Sequence, residues 1–308
     1  MRTVRNVHRR IVEAPADAVG LLIDRLSAPD DPLFPTPVWS AMVLDRPLGV
    51  GADGGHGRAR YRVGAYEPGR SVRFDTTGTR LGTGYHRLDV EPLGPDRCRI
   101  THVLQLAMPE GLFAAWLLAF KPVHDTIVEE ILDNAERAAL GSLSRPRAQR
   151  PLRARLFHRL AWPHPTAVPV PADARLLQEA FERPDFTDAW RMALAPGMSR
   201  DPQDWRHVLP FPALGAAGRE LMLGKDASHL DFRSSVLVGD ESVTLATAVR
   251  LHNTRGRLSF SLVRRVHPYM ARRMLRRAHR RVALTTPPAG QRNRTPRATG
   301  TGDRPQRA

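Results

Sequence analysis

Three histidines are the residues of this sequence that could do chemistry. His86 lies in the alternating stretch 85–90 and His102 in the alternating stretch 99–106, so each shares a strand face with apolar neighbours. His124 lies at the start of a stretch with helical spacing. Imidazole has an ordinary pKa of about 6.5 and can act as a general acid or base near neutral pH. His86 and His102 are therefore the candidate catalytic residues.

Other roles for these histidines stay open. Each could be a structural residue that is hydrogen-bonded to the backbone, and for any one of them alone this interpretation is favoured. The spacings of the three match no metal-ligand motif of a helix or a strand, so the sequence predicts neither a metal site nor a cofactor. The run GGHG at 54–57 lacks the Lys-Ser/Thr ending of a phosphate-binding loop, and we predict a mobile loop with His56 at its tip.

A second group of polar residues lies in the other half of the chain. His229 falls on a polar strand face with Asp231 and Arg233, unlike His86 with its apolar neighbours. A structural hydrogen-bond network is the favoured interpretation of this group, and a second binding site is the alternative. The group comprises His229, Asp231, Arg233, His252, Asn253, Arg257 and His267.

The elements that must position these residues occur twice. Shifting 99–138 forward by 143 positions aligns His124 with His267 and Leu132 with Leu275 without a gap. In both copies an alternating segment precedes a helix with one apolar stripe, and such a stripe must pack on an apolar surface. The sequence therefore predicts an α+β fold of two tandem domains, each a curved antiparallel sheet packed on a long C-terminal helix.

The two long helices differ most on their predicted outer faces. Such charged runs are ordinarily solvated, but two further hypotheses remain. The acidic and basic faces could contact each other, or the basic helix 267–281 could contact an anionic membrane surface. Glu129, Glu130, Asp133 and Glu136 occupy the positions that Arg272, Arg273, Arg276 and His279 have in the other copy.

Composition divides the chain into four segments. These are a first domain at 1–142, an Arg- and Pro-rich linker at 143–171 with a short helix near 152–160, a second domain at 172–284 and a disordered tail at 285–308. In the second domain the sequence predicts helical turns at 214–223 and strands at 185–194, 229–238, 242–252 and 257–263.

The net charge of +16 is carried by the second part of the chain. Residues 1–142 hold 17 basic and 18 acidic side chains, whereas residues 143–308 hold 30 and 13. Arg supplies 45 of the 47 basic residues. A GC-rich coding sequence also enriches a protein in Arg, so this excess does not by itself indicate a nucleic-acid partner. Specific nucleic-acid binding is therefore not expected. One cysteine excludes an internal disulfide, and no apolar run is of membrane-spanning or signal-peptide type. We expect a cytoplasmic protein, and the sequence leaves its oligomeric state open.

Short motifs of the first half resemble a known superfamily. These motifs are VEAPAD at 12–17, YEPGR at 66–70, VRFD at 72–75 and PVHD at 122–125. Through them, residues 3–139 resemble the START/polyketide-cyclase superfamily, also called SRPBCC. The motifs recur widely there, so they support the fold more than any reaction.

The second half is similar to a bacterial family of unknown function that is often appended to other domains. The similarity is carried by HLDFR at 229–233, VRLHN at 249–253 and VHP at 266–268. That family has no agreed activity, so this resemblance implies no chemistry.

The first resemblance implies a helix-grip fold, and the repeat extends it to two tandem helix-grip-like domains. In such a fold, sheet and helix enclose an apolar cavity, so the implied function is binding of a hydrophobic small molecule such as a lipid or polyketide. One alternative is a polyketide cyclase- or dehydratase-type enzyme that uses His86 or His102. Another is a scaffold whose basic half contacts an anionic membrane or nucleic acid. The candidate ligand-binding residues are Trp39, His56, Tyr61, His86, His102, Trp116 and His124.

Overall fold

The chain forms two antiparallel sheets, each followed by a long helix. The structure, a computed structural model, describes residues 1–77, 82–147 and 149–286. In chain order its elements are β1 Arg2–Val12, α1 Ala16–Ile23, β2 Val43–Leu44, β3 Asp53–His56, β4 Ala59–Glu67, β5 Ser71–Thr76, β6 Thr83–Gly94, β7 Arg97–Met108, α2 Phe113–Ala115, α3 Lys121–Leu140, α4 Leu152–Ala161, β8 Thr166–Ala167, α5 Arg175–Ala180, β9 Phe186–Ala193, β10 Ala213–Ala217, β11 Glu220–Asp226, β12 Leu230–Val238, β13 Ser242–Leu251 and α6 Thr254–Thr285.

The first sheet has seven strands in the order β1-β7-β6-β5-β4-β3-β2. Its strands alternate between buried and more exposed residues because successive side chains point to opposite faces. Along β7, for example, Ile100, His102, Leu104 and Leu106 are all buried. The helices α1 and α3 contact the sheet and share one apolar core with it. This unit is the helix grip that the resemblance implies.

The turn between β4 and β5 fastens α1 to the sheet. The Asp24 carboxylate accepts hydrogen bonds from the Gly69 amide and the Tyr66 hydroxyl, both at 2.9 Å. Gly69 has a φ of +70°, a conformation that glycine adopts most readily. A Cβ atom on Gly20 of α1 would lie 2.0 Å from the Gly69 carbonyl oxygen, so glycine is required for this close approach.

The second sheet has six strands in the order β10-β11-β12-β13-β9-β8. Its central strand β13 is buried on both faces. Leu245 belongs to the core under α6, together with Leu275 and Trp205, whereas Ala246 packs in a separate cluster with Leu177 of α5. The small side chain of Ala246 allows the short helix α5 to lie close to the sheet.

The predicted fold class, with antiparallel sheets each followed by a long helix, is confirmed, and the two units share a connection order. In each unit the last strand pairs with that unit's first long strand, β7 with β1 and β13 with β9, and then leads into the long helix. Leu132 and Leu275, which are equivalent in the repeat, are both fully buried. The copies differ between the first and second strands, where α1 of the first unit is replaced by a 3₁₀ turn, Pro202–Trp205.

Two predicted elements of the second unit are wrong. The segment 257–263 is helical, because α6 already starts at Thr254, where the Asn253 side chain accepts a hydrogen bond from the Gly256 amide at 3.0 Å. The segment 214–223 belongs to the hairpin of β10 and β11, which turns at Gly218 with a φ of +54°. Most of the predicted tail, 287–308, lies outside the described residues. Within the described ranges, no helix has both the length and the hydropathy needed to cross a bilayer.

Three of the four acidic positions of α3 are buried, which contradicts the predicted solvated face. Glu130, Asp133 and Glu136 are each at most 1% exposed. Arg10 of β1 donates to Asp133 Oδ1 at 3.0 Å and to Glu136 Oε2 at 2.9 Å, and Arg150 pairs with Glu130. Buried carboxylates require such charged partners. Within the described chain these partners come from β1 and the segment after α3 and not from the basic face of α6, while a contact of the two faces between chains stays a hypothesis.

The helix α4 bridges the two units. His158 donates to the Val38 carbonyl of the first unit at 2.7 Å. Arg276 of α6 donates to the carbonyl oxygens of Arg159 and Trp162 at 2.8 and 2.6 Å, and these carbonyls at the end of α4 have no partner within the helix. The predicted linker 143–171 thus contains a packed helix, near the predicted position, while its end points stay a prediction.

Candidate functional site

A cavity of about 220 Å³ lies between the first sheet and α3. Most of its lining is apolar. Apart from one arginine, the polar side chains that reach it are four histidines and one tyrosine. The lining residues are Leu26, Phe34, Met42, His56, Ala59, Tyr61, Phe74, His86, Arg87, Leu88, His102, Leu104, Leu106, Trp116, Phe120, Val123, His124, Ile127, Val128 and Ile131.

The strand register brings two of these histidines together. On the paired strands β6 and β7, His86 lies opposite Leu104 and His102 lies opposite Leu88. The two histidines are therefore diagonal neighbours on the same face of the sheet. Nδ1 of His86 and Nε2 of His102 are 3.3 Å apart, a distance at which one ring donates a hydrogen bond to the other.

His124 of α3 completes a triangle of imidazoles above the sheet. The ring centroids of His86 and His102 are 5.4 Å apart, those of His86 and His124 are 5.4 Å apart, and those of His102 and His124 are 5.2 Å apart. Both ring nitrogens of His124 and Nδ1 of His102 are buried without a hydrogen-bond partner among the residues that the structure describes. The fold thus collects three histidines that are far apart in the sequence.

Burial dominates the electrostatics of this triangle. Desolvation lowers the pKa of His86 and of His102 well below 6.5, and the charge that a neighbouring histidine would carry lowers it further. Desolvation also lowers the pKa of His124, although Asp125 opposes the decrease. All three rings are therefore neutral at pH 7.

His56 reaches the cavity from a strand, which corrects the prediction of a mobile loop. It ends β3, and its Nε2 lies 3.1 Å from the Tyr61 hydroxyl on β4. Desolvation lowers the pKa of His56 to about 4 and raises the pKa of Tyr61 above its usual 10. The two side chains form a neutral hydrogen-bonded pair at the cavity wall.

The two candidate tryptophans have different positions. Trp116 lines the cavity from a π-helical turn, Trp116–Phe120, with its ring centroid 5.9 Å from that of His124. Trp39 is not among the lining residues, contrary to the prediction. It is buried elsewhere, where its indole donates to Glu130 at 2.8 Å and contacts the ring of His158.

A partly buried polar network surrounds Asp125 next to the triangle, and its members Asn6, His8 and Lys121 were missed in the sequence. Asp125 accepts hydrogen bonds from Asn6 and Lys121, both at 2.6 Å, and its Oδ1 lies 3.2 Å from Nε2 of His8. Although burial opposes it, the hydrogen bonds with Asp125 and Glu129 raise the pKa of His8. The available signal was the alternation of Asn6, His8 and Arg10 along β1 against carboxylates that recur every four residues on α3.

The polar group of the second unit does not form a single site. His252 pairs with Asp231 at 3.0 Å, Asn253 caps α6, and Arg233 pairs with Asp226. His229 contributes its carbonyl oxygen to the His252 amide, and Arg257 is exposed. His267 lies with a different strand, 3.1 Å from Asp188 of β9. These contacts agree with a structural network.

A second, open pocket of about 390 Å³ lies where the linker meets α3 and α6. Its lining includes Glu130 and several arginines, among them Arg150, Arg155 and Arg280. Such a lining suits water or anions, so the apolar cavity of the first unit is the better candidate for a hydrophobic ligand.

Comparisons with known proteins find solved structures of low sequence identity, and the three described next each match less than half of this chain. No protein-family model and no curated protein matches this chain. Truncated norcoclaurine synthase from Thalictrum flavum is similar over 46% of this chain and 96% of its own, with 16% identity and a TM-score of 0.37. A protein of Thermobifida fusca matches over 44% and 95%, with 18% identity and a TM-score of 0.36. A protein of Nitrosospira multiformis matches over 44% and 96%, with 11% identity and a TM-score of 0.36. These sequence identities and TM-scores are low. The helix-grip fold is therefore assigned to the first unit from its own strand order and helix packing.

Proposed function

We propose that the first unit binds a compact hydrophobic molecule of one or two rings. The observation that carries the proposal is the apolar cavity of about 220 Å³ between the sheet and α3. An apolar protein cavity of about 150 Å³ is enough to hold benzene. The cavity therefore suits a somewhat larger guest, whereas a long acyl chain would have to displace residues such as Trp116 or Phe120.

The polar side chains of the cavity favour a guest that also carries a polar group. Tyr61, His56 and His86 offer hydrogen-bonding atoms on one wall, while the rest of the lining is almost entirely aliphatic or aromatic. A ring system with one hydroxyl or carbonyl group would bury its apolar surface and pair its oxygen. Fully apolar molecules would make no hydrogen bond with these groups and should bind more weakly.

Binding of 2-naphthol, followed by its fluorescence, tests this proposal. We expect saturable binding of one molecule per chain. Ile127→Trp should weaken it by about tenfold or more, because the larger ring occupies the cavity from α3. Leu140→Trp, at an exposed position of the same helix, should bind like the wild type. Equal binding by both variants would contradict the proposal, and native mass spectrometry of the purified protein would identify a co-purifying guest.

Catalysis by His86 or His102 is the alternative use of the same cavity. Acid–base catalysis favours a pKa near the working pH, whereas burial lowers the pKa of both histidines well below that range. Binding is therefore the better supported function. Conversion of a bound cyclisable guest to product, lost in His86→Ala, would instead establish the enzyme.

We also propose that α6 contacts an anionic membrane surface, over a stretch that starts before the predicted 267–281. Its first half is largely exposed and presents an apolar stripe, including Leu258 and Leu262 at 75% and 68% exposure. Helices with an apolar stripe flanked by arginine bind in the headgroup region of anionic membranes. The stripe comprises Leu258, Leu262, Val266 and Tyr269, and the exposed flanking arginines include Arg255, Arg265 and Arg273.

Flotation with vesicles tests the membrane proposal. We expect the protein to float with vesicles that contain phosphatidylserine and not with pure phosphatidylcholine vesicles, and to be released by high salt. Leu262→Glu should abolish flotation, while Val43→Glu at an exposed site of the first unit should not. Self-association through the stripe, or flotation that ignores lipid charge, would count against this partner.

A further inference from the structure

The histidine triangle of the first unit has polar atoms that no described residue satisfies. Both ring nitrogens of His124 and Nδ1 of His102 are buried and unpartnered. Buried polar atoms in folded proteins nearly always have a partner, which can be protein, water or an ion. These unpartnered nitrogens point to a further component of the cavity.

The geometry of the triangle fits a metal ion better than a guest alone. One nitrogen from each of His86, His102 and His124 can be chosen so that all three lie within 4.8 Å of one another. A tetrahedral zinc ion with Zn–N bonds of about 2.0–2.1 Å needs nitrogens about 3.3 Å apart. Nδ1 of His86 and Nε2 of His102 already have that separation, at 3.3 Å. Closing the site thus requires side-chain rotation that brings a nitrogen of the third histidine, His124, from within 4.8 Å to about 3.3 Å of the other two.

We propose that His86, His102 and His124 bind a divalent transition-metal ion, with zinc as the best fit. Imidazole is a preferred ligand of zinc, copper, iron and nickel, and three histidines with an open fourth position are a known arrangement for zinc. The spacing of the three histidines in the sequence predicted no metal site, and this proposal replaces that prediction. Local motifs could not reveal the site, because its ligands come from two strands and a helix.

A competing set of ligands lies beside the triangle and is less suitable. His8, His124 and Asp125 also have atoms within 4.8 Å of one another. Both nitrogens of His8 already contact carboxylates, at 2.8 and 3.2 Å, and Asp125 already pairs with the Lys121 ammonium at 2.6 Å. A metal there would have to break these contacts with charged partners, whereas in the triangle it would replace only the hydrogen bond between His86 and His102.

Asp125 has the position of a residue that orients a metal ligand. Its Oδ1 atom lies 3.8 Å from Nδ1 of His124. Histidines that bind metals commonly donate their second N–H to a carboxylate, which fixes the tautomer and the ring orientation. Asp125 would thereby leave Nε2 of His124 free for the metal and supply a nearby negative charge.

The open coordination position of the metal would face the apolar cavity. In this part the inference rests on the proposed binding of a hydrophobic guest. A guest with one oxygen or nitrogen donor could bind the metal with that atom and bury its ring system against the lining. The chemical class of the ligand is therefore a compact phenol, enol or carbonyl compound.

Zinc binding by the full chain tests the proposal. The protein is stripped with a chelator and titrated with zinc chloride, followed by calorimetry and zinc-edge X-ray absorption. We expect one zinc per chain with three imidazole nitrogens at about 2.0–2.1 Å. His86→Ala and His102→Ala should each lower affinity by more than about 100-fold, since even outer-shell residues contribute about 10–100-fold. His207→Ala, at an exposed histidine of the second unit, should bind zinc like the wild type.

Each outcome decides the question. Substoichiometric zinc, an oxygen-dominated spectrum, or undiminished affinity in both triangle variants would overturn the site. If a variant does not fold, as judged by circular dichroism, the wild-type spectrum alone distinguishes three imidazoles from other ligands. Titration of the zinc-free protein with 2-naphthol separates the two proposals. If the protein binds zinc but not 2-naphthol, the metal site is retained and the proposed guest is rejected. If it binds 2-naphthol but not zinc, the guest is retained and the metal site is rejected.

Discussion

Arg10 shows how one side chain organises the interior of the first unit. Its guanidinium bonds to Glu129, Asp133 and Glu136 at 2.9–3.0 Å, and the latter two carboxylates are almost fully buried. Taking charged groups out of water is costly, and their mutual attraction offsets that cost only with good geometry. Removing one partner therefore lowers the free energy of unfolding by much more than the net contribution of the ion pair to stability.

Replacing Arg10 should destabilise the first unit strongly. We expect Arg10→Met to lower its free energy of unfolding by about 3–5 kcal/mol, because Asp133 and Glu136 lose their main cationic partner. Arg9→Met on the exposed side of the same strand is the matched control and should change it little. Urea unfolding of the three proteins measures the difference, and similar midpoints would show that the network carries little stability.

The neutral histidines of the cavity should make the first unit sensitive to acid. His56 has a pKa of about 4 when folded and about 6.5 when unfolded, so the unfolded chain binds more protons between these values. The stability from this group is fully present above pH 6.5 and is lost as the pH falls towards 4. The shift corresponds to about 3 kcal/mol.

A glutamine at this position removes the titration. In metal-free protein, His56→Gln should lose about 3 kcal/mol less stability than the wild type between pH 6.5 and 4. His207→Gln, at an exposed histidine, should keep the wild-type dependence. The measurement is urea unfolding at several pH values, and parallel curves for all three proteins would refute the assignment.

Alternation along strands was enough to predict which way the cavity histidines point. His86 and His102 share faces with apolar residues, and both line the cavity. The fate of Trp39 and of the α3 carboxylates was not predictable in this way. The contact of Trp39 with Glu130 and that of Arg10 with Glu136 join residues 91 and 126 positions apart, and only the folded structure brings such residues together.

At the level of elements, α4 is the part of the chain whose role differs most from a linker. Its side chain His158 bonds to the first unit, and Arg276 of the second unit bonds to the carbonyls at its C-terminal end. Trp162, directly after the helix, donates from its indole to His279 at 3.2 Å. The helix is thus held from both sides by specific hydrogen bonds.

Loss of the Arg276 contacts should loosen α4. We expect Arg276→Met to accelerate amide hydrogen exchange across 152–161, because the terminal carbonyls lose their donors. Arg277→Met, an exposed neighbour on the same helix, should leave this exchange unchanged. Exchange followed by mass spectrometry gives the comparison, and equal rates in both variants would show that the capping contacts do not hold the helix.

The wrong element predictions have identifiable physical causes. Around Leu258, Phe260 and Leu262, apolar and polar residues alternate as in a strand, but the cap formed by Asn253 starts a helix there, and this helix exposes both leucines. In 214–223, glycine and alanine give no clear period. The strands β9, β12 and β13 were predictable because their patterns are long and their ends carry turn residues.

For the whole molecule, the two units differ in where their charges lie. The first unit holds nearly equal numbers of both signs and buries several carboxylates against arginine, whereas the second carries the excess of arginine, much of it on exposed faces of α6. The first unit also holds the apolar cavity. The two proposals accordingly assign a guest to the first unit and surface contacts to the second.

This division predicts that a guest protects one unit only. At a concentration of 100 times its dissociation constant, 2-naphthol should stabilise the first unit by about 2.7 kcal/mol. Amide exchange in β6, β7 and α3 should slow accordingly, while exchange in β12 and β13 should not. Equal protection of both sheets would mean that the units unfold together or that the probe binds elsewhere.

The contacts between β1 and α3 also govern when the cavity can exist. Asn6 and Asp125 are 119 positions apart, and Arg10 and Glu136 are 126 apart. During synthesis on the ribosome, β1 is made before the other elements of this unit. Its charged partners on α3 are made only after almost all of the unit has been synthesised. Contacts so distant in sequence form slowly. Until α3 packs on the sheet, the apolar face of the newly made sheet is exposed to solvent. A guest or metal of the proposed kind that is present at that stage can be enclosed when α3 packs.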